Sequence, residues 1–206
     1  MPAPVTEARP IRVLAFGGSL RTGAFSTRLL EAMVEIAAPQ LAVEVHGGLE
    51  QLPYFNQDHE GEEAAPTLVQ ELRTQLREAD ALLIVTPEYN RSVPATIKNA
   101  LDWCSRPHGA GSLVGKPVAI VAASPGPSGG LLALHHLRQI VHAAGAVTIG
   151  TKELAIPAVY KCFDADGAFA DETVRGWLAQ LLAELRAAVT VPAADYARVD
   201  GEGWSL

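Results

Sequence analysis

Residues 11–23 read Ile11-Arg12-Val13-Leu14-Ala15-Phe16-Gly17-Gly18-Ser19-Leu20-Arg21-Thr22-Gly23, an apolar run that stops at glycine and gives way to hydroxyls and a cation. A short apolar run bounded by turn residues reads as a buried strand, here residues 11–16. The glycines then deliver the chain to a helix that opens at about Phe25 to Ser26. Strand, glycine turn and helix make the first half of a βαβ unit, and the rest of the chain repeats the alternation. Further apolar runs lie at 41–45, 81–86, 117–123 and 146–149. Between them, apolar residues step at helical spacing: Leu29, Leu30, Met33, Val34 and Ala37; Leu68, Leu72 and Leu76; Ile97, Ala100, Leu101 and Cys104; Leu134, Leu137, Val141 and Ala144.

Five strands alternating with helices predict an α/β fold, a parallel sheet reached by right-handed crossovers and covered on both faces. Residues 151–171 read as a loop. Residues 172–189 read as a last helix carrying Val174, Leu178, Leu181, Leu182 and Leu185, and 190–206 as a surface tail. With 206 residues, 49% of them hydrophobic, residues 1–206 are expected to form one domain around a core at 11–150. A net charge of -7, with the 16 Lys and Arg scattered, argues against a nucleic-acid partner. The opening MPAPVTEARPIRVL has no basic segment leading into a long apolar one, so neither a secretory signal nor a membrane span is expected and the cytoplasm is the expected compartment. Cys104 and Cys162 are far apart and without metal-ligand spacing, which gives no sign of a zinc site or a disulfide framework. Cys104 falls on an apolar helix face and reads as core.

In an open parallel sheet, ligands bind beyond the carboxyl ends of the strands, where the strand order reverses, so the loops after strands one, three and four carry the chemistry. The first has a glycine turn, hydroxyls and a helix amino end with free N–H groups, which is what an anion requires. Gly18 and Gly23 have Walker A spacing, but Ala24-Phe25 stands where Lys and Ser or Thr are needed, and the G-x-G-x-x-G spacing of a dinucleotide fold is missing. A terminal monophosphate fits, with Ser19, Ser26 and Thr27 as hydroxyl donors and Arg21 as the cation. A plain glycine turn before an N-capped helix accounts for the same residues. The second loop, Thr86-Pro87-Glu88-Tyr89-Asn90-Arg91-Ser92-Val93-Pro94, offers an aromatic surface and polar groups suited to a flat heteroaromatic ring. Its alternative is a proline-rich turn in which Tyr89 covers the core. The third, Ser124-Pro125-Gly126-Pro127-Ser128-Gly129-Gly130, allows close backbone approach to the same crevice.

At these residues the chain resembles the NADPH-dependent FMN reductase family, which also includes chromate, quinone and azo-dye reductases of the flavodoxin-like fold. The likeness spans residues 11–150 and rests on Gly18-Ser19-Leu20-Arg21, Pro87-Glu88-Tyr89-Asn90 and Ser124 to Gly130. It implies a three-layer fold with strand order 2-1-3-4-5, FMN as bound cofactor and NADPH or NADH as co-substrate. Hydride would pass from NAD(P)H to FMN and on to a small electron acceptor: a quinone, flavin, azo compound or metal oxyanion. Residue by residue, it implies that Ser19, Arg21, Ser26 and Thr27 hold the FMN phosphate, that Pro87, Glu88, Tyr89 and Asn90 line the isoalloxazine, and that Ser124, Pro125 and Gly126 close its other side. Family members often carry Ser and Asn where this chain has Ala24 and Ser26, so one phosphate donor is lost and another shortened. A homodimer or homotetramer is implied as well.

Such chemistry needs no general acid or base, so Glu88 and Tyr89 read as lining residues. A flavodoxin-type one-electron carrier and a non-enzymatic ligand-sensing module are the rival classes. His135, Arg138 and His142 share a helix face that reads as solvated, with a metal or an interface partner as the alternative. Trp103, Trp177 and Trp204 read as packing residues or, in the tail, subunit contacts.

Overall fold

Apolar residues on both faces of a strand need a cover on both sides, and the chain supplies it. A computed structural model describes residues 9–61 and 63–190. The tail expected beyond residue 190, Trp204 included, lies outside them. The elements in order are β1 (Ile11–Gly17), α1 (Phe25–Ala37), β2 (Leu41–Val45), α2 (Thr67–Glu78), β3 (Ala81–Thr86), α3 (Ala95–Cys104), β4 (Pro117–Ala123), α4 (Leu131–Ala143), β5 (Val147–Ile156) and α5 (Glu172–Thr190). The five strands form one parallel sheet in the order β2-β1-β3-β4-β5. This is the doubly wound, flavodoxin-like arrangement, with its order reversing at β1 and β3.

Side chains alternate across a strand, so each central strand feeds two cores. Leu14, Phe16, Leu82, Ile84, Val118, Ile120 and Ala122 face one side, where Leu72, Ile97 and Leu134 bring in α2, α3 and α4. Val13, Ala15, Leu83, Val85, Ala119 and Val121 face the other, against Leu29 of α1 and Leu178 of α5. Cys104 is buried in the first core, and its loss of solvent pushes the thiol up to about 12. Trp103 is buried there too, with Nε1 donating to Pro53 O at 2.8 Å. The buried Arg73 donates to Trp103 O and Glu60 O, fastening α2 to α3 and to the segment before it.

Three sequence expectations change. The fifth strand does not end at residue 149 but runs to Ile156, so the expected loop at 151–171 starts later and contains a 3₁₀ turn at Val159–Cys162. The strand was hidden by an interruption. Ala119 pairs with Ile149 and Val121 with Leu154, so a step of two residues on β4 is matched by five on β5. The extra residues are polar and bulge outward, where Glu184 of α5 accepts from Thr151 N and Oγ1. On α2 the buried stripe is Val69, Leu72, Arg73 and Leu76, with Leu68 on the exposed side, because a four-residue step drifts off a 3.6-residue helix. Trp177 is half exposed and does not pack fully into the core.

At the amino end of the sheet, Asp80 accepts from the Arg12 backbone N–H at 2.8 Å and from both terminal nitrogens of Arg9, tying the starts of β1 and β3 together. The Arg9 hydrogen bonds hold the Asp80 carboxyl below its usual range, against a smaller opposing effect of burial. A lowered folded-state pKa stabilises the fold above the unfolded-state value near 3.9, and that contribution is lost as the pH falls through the folded-state pKa. Asp80→Asn is therefore expected to lower stability at pH 7 by roughly 1 kcal/mol. Urea unfolding of both proteins across pH should show the gap closing below about pH 4.

Candidate active site

The reversal of strand order leaves a crevice between the loops after β1 and β3, and one glycine sets its floor. Gly18 donates its N–H to Val85 O at 2.9 Å. A Cβ on Gly18 would lie 2.7 Å from Pro87 Cδ, 2.9 Å from Ile97 Cδ1 and 3.1 Å from Thr86 Oγ1. The loop after β1 thus lies directly on the start of the loop after β3 and on the first turn of α3. Above this contact, Ser19 Oγ and Tyr89 Oη share a hydrogen bond of 3.0 Å. Two of the residues predicted to meet a ligand are brought together across the crevice.

Beyond Ser19 the chain turns through Gly23, at φ +66, into α1. The residue before the helix is Ala24, which has no side-chain acceptor, and the first turn of α1 has no side-chain cap. A helix amino end leaves its first N–H groups without intrahelical partners and carries a partial positive charge. In that turn Ser26 is 2% exposed, and its Oγ has no hydrogen-bond partner. A buried hydroxyl without a partner is costly, so a missing acceptor is the economical explanation. Thr27 is partly buried in the same turn. Arg21 is exposed, its guanidinium folded back on Thr22 O and Gly23 O at 3.4 Å. Uncapped N–H groups, an orphaned hydroxyl and a nearby cation fit a phosphate.

The second loop is a tight hairpin. Tyr89 and Ser92 exchange both backbone hydrogen bonds at 3.0 Å, and Asn90 and Arg91 between them have φ of 50° and 64°. That is the geometry of a type I′ turn. Tyr89 and Asn90 are exposed, whereas Pro87 and Glu88 are partly buried. The Glu88 carboxylate is engaged: Oε2 accepts from Leu132 N and Ala133 N of α4 at 3.0 and 3.3 Å.

The third loop forms a wall. Ser124 Oγ accepts from Gly126 N at 3.1 Å, while Ser124 N, Val159 N and Ala158 N tie the loop to residues 156–159. Pro125 is exposed beside it. Gly129, at φ +63, lies so close to the end of β5 that a Cβ would sit 2.6 Å from Ala155 C and O. This partnership was not anticipated from the sequence, although the apolar run Leu154-Ala155-Ile156 before Pro157 resembles a strand end facing a crevice. Also unanticipated is the clamp on α1, where Arg28 lies 3.9 Å from the Phe163 ring centre and donates to Gly167 O at 2.6 Å. On α4, His135 and Arg138 turn to Glu153 of β5, with His135 Nε2 at 2.8 Å.

The sequence and the fold also match known proteins. The family model for NADPH-dependent FMN reductase matches residues 11–161. The chain belongs to the NADPH-dependent FMN reductase family. It is 36% identical over 176 residues to an NAD(P)H-dependent FMN reductase of Pseudomonas aeruginosa, covering 85% of this chain and 94% of that one. It is 39% identical over 189 residues to an NADPH:quinone oxidoreductase of Arabidopsis thaliana, covering 89% and 94%. Among solved structures, the flavoenzyme NAD(P)H:(acceptor) oxidoreductase of Paracoccus denitrificans superposes with a TM-score of 0.79 at 32% identity, covering 87% and 97%. Membership in the NADPH-dependent FMN reductase family makes this chain an NAD(P)H-dependent oxidoreductase with FMN as its cofactor. None of the described helices is long and apolar enough to cross a membrane.

The contact at Gly18 is the feature a single substitution should break. Gly18→Ala would drive a methyl group into Pro87 and Ile97, and such overpacking costs roughly 1–3 kcal/mol. Urea unfolding of the apoprotein should show that loss, and FMN titration should show weakened binding.

Proposed function

We propose that the chain binds FMN with its phosphate on the amino end of α1 and its ring against the hairpin after β3, and uses NAD(P)H to reduce a small planar oxidant of the quinone type. The observation that carries this reading is Ser26, a buried hydroxyl without a partner in the uncapped first turn of α1. Around it, Thr27 and Ser19 add hydroxyls and Arg21 adds charge to an acidic protein. Pro87, Tyr89 and Asn90 line the ring side, and Ser124, Pro125 and Gly126 close it. The internal bonds of the Ser124 loop keep that wall rigid.

When bound, FMN supplies the redox chemistry: two-electron exchange with a reduced nicotinamide and then with the acceptor. The protein's part is to hold and orient. A quinone-type acceptor is supported by the apolar rim, where Tyr89 is half exposed and Leu131 and Leu132 stand exposed at the start of α4. It is supported too by the activity named for the Arabidopsis relative and by a 2-hydroxy-1,4-benzoquinone reductase from Burkholderia, 36% identical over 171 residues. The same apolar rim supports self-association as a homodimer or homotetramer.

Arg91, at the hairpin tip, is exposed and 4.0 Å from Glu88, and its solvent-facing charge supports assigning it to the extra phosphate of NADPH. Arg91→Ala is expected to reduce kcat/KM for NADPH about tenfold while leaving NADH nearly unchanged, the loss of one charge-assisted contact. Equal losses with both nucleotides would remove Arg91 from that role.

Ser26→Ala tests the phosphate site. Because the hydroxyl makes no internal bond, its removal should leave apoprotein stability unchanged or slightly higher, yet raise the FMN dissociation constant about tenfold. The reaction is tested by anaerobic titration of the FMN-loaded protein with NADPH. Bleaching of the flavin absorbance followed by reoxidation with a benzoquinone is the expected outcome. Bound FMN that NADPH leaves unbleached would point to an electron carrier or a ligand sensor, and absence of FMN binding would overturn the reading.

A further inference from the structure

Helix α4 begins in a way its own sequence cannot complete. A helix amino end is usually capped by the side chain of the preceding residue, whose oxygen accepts from the second or third helical N–H. Here the preceding residue is Gly130, and it has no alternative: its φ is +89°, and a Cβ would lie 3.1 Å from Ala122 Cβ of β4. The close approach of the third loop to the sheet therefore removes the local cap. The second and third residues of α4 are Leu132 and Ala133, and both of their N–H groups donate to Glu88 Oε2. Glu88 is 44 residues away along the chain from Leu132. A carboxylate from the hairpin loop replaces the side chain that Gly130 cannot have, and it also meets the positive end of the helix dipole.

The tie has a second point. Ser92 Oγ, at the far end of the hairpin, hydrogen-bonds His136 Nδ1 at 3.0 Å. His136 follows Leu132 by one helical turn, so α4 grips the hairpin at both ends. The Tyr89 hydroxyl meets Ser19 on the opposite side of the crevice. The intervening turn needs such support, because Arg91, a residue with a Cβ and no local hydrogen-bonding side chain to favour that conformation, is held in the left-handed region beside Asn90.

We propose that Glu88 is a positioning residue: it caps α4 in place of Gly130 and so holds the Tyr89–Ser92 hairpin in the orientation that presents Pro87, Tyr89 and Asn90 to the flavin ring. The role rests on the FMN reading for its ligand and on the geometry alone for the clamp. It assigns the Glu88 carboxylate to α4 and not to proton transfer.

Wild type, Glu88→Ala and Glu88→Gln are compared in two measurements. Glutamine keeps an oxygen that can accept from Leu132 and Ala133 but cannot serve as a general acid. Amide hydrogen exchange of the apoprotein is followed at Leu132, Ala133, Tyr89 and Ser92. With FMN and NADPH, kcat and KM for a benzoquinone are then measured across pH. Glu88→Ala is expected to speed exchange at all four amides by about fivefold or more, the loss of one cap. The same variant is expected to lower kcat by about tenfold or more, the effect of a displaced lining. Glu88→Gln is expected to recover both, with an unchanged pH profile. Wild-type exchange at Tyr89 and Ser92 in Glu88→Ala would overturn the proposal. So would a Glu88→Gln enzyme as slow as Glu88→Ala with a limb of its pH profile missing. If the wild type shows no flavin-dependent turnover, the FMN reading fails, and the exchange measurement still decides for or against the clamp.

Discussion

A side chain at residue 18 has nowhere to go, and much of the site's geometry follows from that. With no Cβ, Gly18 lets the backbone leaving β1 settle onto Pro87, Thr86 and Ile97 while its N–H bonds to Val85 O. The loops on either side of the switch in strand order are thereby held in contact, not merely near each other. Ser19 and Tyr89 then meet as a consequence, being the next groups out along each loop. One backbone contact fixes the separation between a hydroxyl-bearing turn and an aromatic one, which is the separation a phosphate-bearing heteroaromatic ligand must span.

The amino ends of α1 and α4 are treated in opposite ways. That of α1 follows Ala24, has no side-chain cap, and keeps a buried hydroxyl without an acceptor. That of α4 is closed by Glu88. Both ends carry the same partial charge, so capping decides which of them is available to an anion. In a chain of net charge -7, an open helix end with Arg21 beside it is a local exception to the general field. The phosphate position proposed above thus rests as much on the helix end that is closed as on the one left open.

The legible part of the fold was the part set by local pattern. Four of the five strands and the helices after them follow from apolar runs of the right length and from three- and four-residue steps, as at Ile97, Ala100, Leu101 and Cys104, all buried. The continuation of β5 escaped because Gly150, Thr151, Lys152 and Glu153 break the apolar pattern, and only its pairing with β4 shows that the strand resumes. In the site, the three loops could be named because strand-to-helix turns on one edge of a parallel sheet must converge. Partners distant in sequence could not. The bond from Glu88 to α4, that from Ser92 to His136, and the seating of Gly129 against Ala155 join residues with no periodic relation. Glu88 in particular was legible as a member of a ring-lining loop but not as a cap, because the glycine that makes the cap necessary sits 42 positions later.

The distribution of free hydrogen-bonding groups also argues for the direction in which a flavin would lie. The third loop uses its polar groups internally: Ser124 Oγ on Gly126 N, and its backbone on residues 156–159. The hairpin uses Glu88 and Ser92 on α4 and its backbone on itself. Besides the Arg91 cation at the hairpin tip, what these two segments turn outward is an aromatic ring, proline edges and the Asn90 side chain, surfaces suited to a flat, largely apolar body. An unmet demand for an acceptor lies in the first turn of α1, at Ser26, and a second in the first turn of α3, at Thr96. On the reading proposed above, a ligand with one dianionic end and one planar end meets the Ser26 hydroxyl with its phosphate at α1. The reverse orientation would place the charge against Pro87 and Tyr89 and leave the Ser26 hydroxyl buried and unsatisfied.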